Sequence, residues 1–255
     1  LECNPDDVSH DSLIDWKNAG INRLSLGIQS FDDEDLQFMK RAHNAAEAKN
    51  SLILALEHGF QNMTVDLIFG TPTLQDDQLH KNLSILLELN VPHISAYGLT
   101  VENKTELEAN IRNGILAPLD EEHSARQFQM VMKSLQSNGY EQYEISNYCL
   151  PGHASRHNSS YWNGTHFLGI GPSAHSYNGV SRSWNIRNNA QYIRALNNDL
   201  AYNEEEFHAL ILKLMEKKPS HCLLVMLKQS ELSVYMIITK DKQQLGLPQN
   251  MITYL

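Results

Sequence analysis

The chain has 255 residues, 42% of them hydrophobic, and a formal net charge of -10. That is enough apolar material for one large domain or a domain with an appendage, and it excludes disorder as the default. The acidic residues are spread along the chain rather than gathered in a tail, which disfavours nucleic acid or an anionic membrane surface as the main partner.

Three cysteines, Cys3, Cys149 and Cys222, are widely separated and odd in number. That argues against a disulfide framework and for a reducing compartment, and their spacing suits neither zinc nor a cluster. No secretory signal is visible, and the apolar runs are far too short to span a bilayer. The expectation is a soluble cytoplasmic protein.

In chain order, Glu2 to Pro5 reads as the end of a strand whose body is missing. A helix over about Ser9 to Ala19 follows, stopped by Gly20. Ile21 to Ile28, Met63 to Phe69 and His93 to Leu99 alternate as strands do. Between them the pattern predicts helices over Asp33 to Met39, Ala45 to His58 (stopped by Gly59) and Asp76 to Leu89. Strand and helix alternating at this spacing predict right-handed βαβ crossovers and a parallel sheet. Beyond residue 105 come a long amphipathic helix over Asp120 to Asn138 and a strand within Gly139 to Ser146. A stretch rich in Gly, Asn, Ser and aromatics follows, then a helix near Ala190 to Asn197.

In parallel α/β folds the chemistry sits at the carboxyl ends of the strands. Glu2, Gln29, Arg41 and Asp66 fall at or just beyond such ends. Their carboxylates suit a ribose diol or an ammonium group, Gln29 both donates and accepts, and Arg41 offers a planar fork for a carboxylate. Taken together they suit an amino acid joined to a nucleoside; singly, each could equally be a cap or a solvated side chain.

An ordered set of segments then resembles a known family. It consists of ECNP (2–5), INRLSLGIQSF (21–31), KRAH (40–43), DLIFGTP (66–72), HISAYGLT (93–100), GYEQYEISNY (139–148), SRHNSSYW (155–162), FLGIGPSAHS (167–176) and SRSWN (181–185). In order, these are similar to the radical-SAM coproporphyrinogen-oxidase-like family, from residue 1 to about 202. The resemblance implies an α/β fold: the C-terminal half of a partial (β/α)6 TIM-like barrel over 1–105, then a smaller α+β region over 106–205. It maps S-adenosylmethionine contacts onto Glu2, Gln29, Arg41 and Asp66, and implies a [4Fe–4S] cluster in the parent protein. The Cys-x-x-x-Cys-x-x-Cys loop that holds the cluster has no counterpart here. The expectation is therefore a partial sequence in which no catalytic residue is assigned.

His157-Asn158-Ser159-Ser160-Tyr161-Trp162 resembles the H-N-x-x-Y-W heme motif of the family's chaperone group. The resemblance implies His157 as axial ligand to heme iron, with Tyr161 and Trp162 lining the porphyrin. It implies heme as cargo, heme-accepting proteins such as respiratory enzymes as partners, and membrane contact only through those partners. Nucleic acid is not expected. Two alternatives stand beside the heme chaperone: an oxygen-independent coproporphyrinogen III oxidase of heme synthesis, and an inactive fragment. His175 reads as structural, and Tyr143, Glu144 and Asn147 are placed on the porphyrin side. From residue 206 to 255 the resemblance stops and no clean period remains, as a reading-frame error or an alternative C-terminal region would produce.

Overall fold

The computed structural model describes residues 1–198 in full and the backbone of 203–208. The described residues divide into two compact units, the first over Leu1–Ala154 and the second beginning at Ser155.

The first unit opens with β1 (Glu2–Cys3), a 3₁₀ turn over Pro5–Asp7 and α1 (His10–Asn18). Ser9 caps α1 by accepting from the Ser12 N–H, which satisfies one of the otherwise unpartnered amides of the first turn. β2 (Leu24–Gln29), α2 (Asp33–Phe38), α3 (Ala45–Glu57), β3 (Met63–Phe69), α4 (Asp76–Glu88) and β4 (His93–Gly98) follow. Asp32 and Asn44 cap α2 and α3 through their side chains. After α5 (Glu106–Arg112) and α6 (Glu121–Ser137), the short strands β5 (Glu141–Gln142) and β6 (Asn147–Cys149) complete a six-stranded sheet ordered β1-β2-β3-β4-β6-β5.

β1 to β4 pair in parallel, as the βαβ spacing requires; β6 and β5 add antiparallel. The single strand expected within Gly139 to Ser146 is therefore corrected to a tight hairpin. Its turn forms because Glu144 folds back onto Ser146 N–H and the Asn147 amide, while Tyr143 N–H bonds the Asn147 carbonyl.

The two faces of the parallel sheet differ. Leu24, Leu26 and Ile28 of β2, Met63, Val65 and Leu67 of β3, and Ile94 and Ala96 of β4 are buried. They share a core with Leu13, Leu52, Leu79, Leu83, Leu86, Val131 and Leu135 from the surrounding helices. Truncating one of these leucines to alanine costs about 2–5 kcal/mol. The alternate positions are Ser25, Gly27 and Gln29, then Thr64 and Asp66, then His93 and Ser95. A parallel sheet covered by helices on both faces would be apolar at both sets of positions. Here the second set lines a polar face, the arrangement of a barrel interior that receives a ligand.

The second unit contains α7 (Arg156–Trp162), β7 (His175–Tyr177), β8 (Ser181–Asn185), α8 (Asn189–Asn197) and β9 (Asn203–His208), the strands forming an antiparallel sheet β7-β8-β9. The H-N-x-x-Y-W segment is helical. Ser155 starts it by accepting from Asn158 N–H at 3.3 Å. The expected loss of pattern toward Leu255 falls largely on 209–255, outside the described residues. Among the described residues no helix is long and apolar enough to cross a membrane.

Candidate functional site

The polar face of the first unit gathers the four residues singled out from sequence. Gln29 ends β2 with φ 66°, a backbone region a non-glycine residue rarely adopts, and Ser30 N–H bonds the Ile28 carbonyl across it at 2.8 Å. This tight turn lays the Gln29 amide back over Gly27. A Cβ at Gly27 would stand 2.9 Å from Gln29 Nε2, 3.3 Å from Asn4 Oδ1 and 3.4 Å from an Arg41 nitrogen. Three polar side chains from three segments therefore converge where a side chain is missing.

Arg41 reaches this place through a helix terminator. Lys40 has φ 54° and Arg41 N–H bonds the Leu36 carbonyl at 3.0 Å, the Schellman closure of α2. The Arg41 guanidinium donates to Asn4 Oδ1 at 3.1 Å and to the Gly27 carbonyl at 3.4 Å. Two residues on, buried His43 is bonded through Nε2 to the Ile28 carbonyl at 3.0 Å. The KRAH segment thus clamps onto the end of β2. Asn4 was missed in the sequence, where it read only as part of ECNP; its signal is the adjacent Pro5, which starts the 3₁₀ turn that fixes it.

Asp66 sits in the middle of β3 rather than at its end, a correction to the sequence placement. Parallel register sets it beside Ser95 of β4, and Glu2 pairs with Ser25 of β2. Burial pushes the Asp66 carboxyl up to about 6; hydrogen bonding to Ser95 and Ser25 opposes this and the charge of Glu2 adds to it. A directional ladder continues from there. Asn147 turns its amide nitrogen to Glu144, so its oxygen faces Ser95 and accepts from the Ser95 hydroxyl at 2.7 Å. Tyr143, Glu144 and Asn147, assigned to a porphyrin side from sequence, belong to this sheet. Tyr143 bonds His93 at 2.7 Å, and burial, then the charges of Arg23 and His153, push His93 down to about 3.

Glu2, Gln29, Arg41 and Asp66 therefore lie along one polar face: Gln29 and Arg41 meet over Gly27, and Glu2 and Asp66 are coupled by charge. The set offers a cationic fork and amides to a carboxylate, and two carboxylates to hydroxyls or an ammonium group. These donors suit S-adenosylmethionine. The residues do not suit a [4Fe–4S] cluster, which needs at least three thiolates. The Cys3 thiol points to the Ser25 carbonyl at 3.8 Å and is pushed up to about 11 by burial and then by Asp7, while Cys149 is buried. Among the described residues no group of three His, Cys, Asp or Glu could hold a metal.

In the second unit, α7 displays His157, Tyr161 and Trp162, all exposed. His157 and Tyr161, one helical turn apart, share a face. Tyr161 Oη lies 3.2 Å from His157 Nε2, and the rings meet edge to face at 5.0 Å. Phe167 packs edge-on against the other side of Tyr161 at 4.9 Å. An exposed imidazole beside apolar rings can bind a flat, metal-bearing ligand, though its Nε2 is engaged by the phenol. His175 pairs in register with Trp184 at a ring distance of 5.9 Å, consistent with a structural role.

Residues 1–111 match the family model described as the Radical SAM superfamily. A Mycobacterium tuberculosis (strain ATCC 25618 / H37Rv) protein named "Heme chaperone HemW" is 37% identical over 195 residues, 76% of this chain and 50% of that protein. The protein of the same name from Bacillus subtilis (strain 168) is 37% identical over 193 residues, covering 76% and 51%. The structure of the Escherichia coli coproporphyrinogen III oxidase HemN, titled a radical SAM enzyme, aligns with a TM-score of 0.66 at 22% identity, covering 81% of this chain and 50% of that one. That likeness concerns the fold. The chain spans about half the length of the curated relatives it matches.

Proposed function

Because the chain belongs to the HemW/HemN-like radical SAM family, we propose that it serves a heme chaperone, binding heme at α7 and passing it to heme-accepting proteins. The observation that carries this reading is the exposed His157–Tyr161 pair, with Trp162 beside it on the same short helix. In this reading His157 supplies the axial nitrogen, and the rings of Tyr161 and Trp162 cover part of the porphyrin face. Relatives named heme chaperones support it.

We assign S-adenosylmethionine to the polar face of the first unit. Arg41, Gln29 and Asn4 would hold its carboxylate end over Gly27, and Glu2 and Asp66 its hydroxyl and ammonium groups. When bound, S-adenosylmethionine would supply radical chemistry, which also requires electrons from a [4Fe–4S] cluster. Within these 255 residues the side chains bind and orient: the Ser25, Ser95 and Asn147 ladder holds Asp66 at a fixed angle and the γ-turn holds Gln29. The oxidase alternative shares this face and rests on likeness of fold.

The test is a hemin titration of the chain followed by absorbance, with His157→Ala in parallel. A Soret shift in the parent chain that is lost in the variant is expected. A shift of equal size and midpoint in both would remove His157 as ligand and with it this assignment.

A further inference from the structure

A second pair of imidazoles lies outside both sites. His10 is the first residue of α1 and His58 caps the C-terminal end of α3. Their side chains meet although 48 residues separate them: His10 Nδ1 is 3.1 Å from His58 Nε2, and the ring planes are inclined at 59°. The His58 ring is held in place by its own backbone, since Nδ1 donates to the Leu54 carbonyl at 2.8 Å. That bond fixes the tautomer and leaves the Nε2 lone pair directed at His10, the outer-shell arrangement that orients metal-binding histidines. His10 is exposed to solvent and free to adopt the matching tautomer.

We propose that His10 and His58 form a two-imidazole site for a divalent transition-metal ion, with water completing its coordination. Distances discriminate this from a linear imidazole hydrogen bond. An ion about 2.05 Å from each nitrogen would subtend an angle of about 98° at the observed nitrogen separation, between square-planar and tetrahedral values. Two rings converging on one ion in that way hold their centroids about 4.8 Å apart, whereas a linear N–H···N bond of the same length holds them about 5.4 Å apart. The centroids are 4.9 Å apart. The rings are therefore inclined toward each other rather than in line, a spacing compatible with both nitrogens ligating one ion.

The donor set selects the ion. Two neutral nitrogens suit Zn²⁺, Ni²⁺ or Cu²⁺, and offer nothing to Ca²⁺ or Mg²⁺, which take oxygen ligands. With no third His, Cys, Asp or Glu among the described residues to join them, the ion keeps open positions and exchanges readily. It would also bridge α1 to α3, so binding must stabilise the packing of these two helices.

The chain, stripped with chelator, is titrated calorimetrically with Ni²⁺ and melted with and without the ion. Its variants His10→Ala and His58→Ala are treated alike, with His80→Ala, at an exposed position elsewhere, as control for other surface histidines. One equivalent should bind with a rise in Tm. Each of the two single variants should weaken that equivalent at least tenfold and abolish its Tm rise, and the control should change neither. Absence of a one-equivalent site in the parent chain would overturn the proposal, as would its survival in either the His10 or the His58 variant.

Discussion

Asp66→Asn should make the first unit more stable at pH 8 and leave it unchanged at pH 3. In the fold this carboxyl titrates near pH 6, mainly because burial disfavours its charged form, against 3.8 for an unperturbed aspartate. The folded state therefore binds the proton more tightly than the unfolded chain does. Below pH 3.8 both states are protonated and the group is neutral toward folding. As pH rises through 3.8 the unfolded chain ionises first and stability declines, and the decline is complete once pH passes 6. The gap corresponds to about 3 kcal/mol, a ceiling because the side chain keeps some access to water. Asparagine is a neutral isostere of the protonated acid and fits the same place beside Ser95 and Ser25. It removes the ionisation penalty without removing the ladder. Trp16 is the one tryptophan of the first unit, so with Trp162 and Trp184 changed to Phe its fluorescence reports urea unfolding of that unit alone. The expected result is a stability difference that grows from almost nothing at pH 3 to about 2–3 kcal/mol at pH 8. A variant less stable than its parent at pH 8, or a difference independent of pH, would refute the assignment of a strained, buried charge.

The same charge predicts ligand behaviour: affinity for S-adenosylmethionine, which is cationic, should fall as pH drops through about 6, and Asp66→Asn should flatten that profile in equilibrium dialysis. Gly27→Ala should lower stability by less than about 1 kcal/mol, because the Cβ meets movable side-chain ends. It should nonetheless weaken S-adenosylmethionine binding at least tenfold by displacing Gln29, Asn4 and Arg41; unchanged binding would remove these three from the site. Gln29→Gly should raise stability by about 1 kcal/mol through relief of its positive φ, seen as a higher Tm, while binding falls. Tyr161→Phe frees His157 Nε2 from the phenol, so a hemin titration should show affinity a few-fold higher; a lower affinity would mean that the hydroxyl serves the ligand itself.

Local sequence determined which elements form and in what order. The βαβ spacing and the stops at Gly20 and Gly59 act within a few residues of chain, so they are legible in one dimension. The resemblance brought Glu2, Gln29, Arg41 and Asp66 forward, and the structure lays them along one face. It could not show that Arg41 works through Asn4 and the Gly27 carbonyl, because that contact spans 37 residues and depends on how α2 ends. Nor could it place Asp66 mid-strand between Ser25 and Ser95, which is a matter of register between three strands. The strand read over Gly139 to Ser146 became a hairpin because Glu144 satisfies the Ser146 backbone donor and the Asn147 side-chain amide across the turn. The H-N-x-x-Y-W segment became a helix because Ser155 caps it, a signal that its glycine-rich and polar surroundings obscured. The identity of the reactive groups was written in the sequence; their protonation, partners and mutual distances follow from burial and register, which only the folded chain creates.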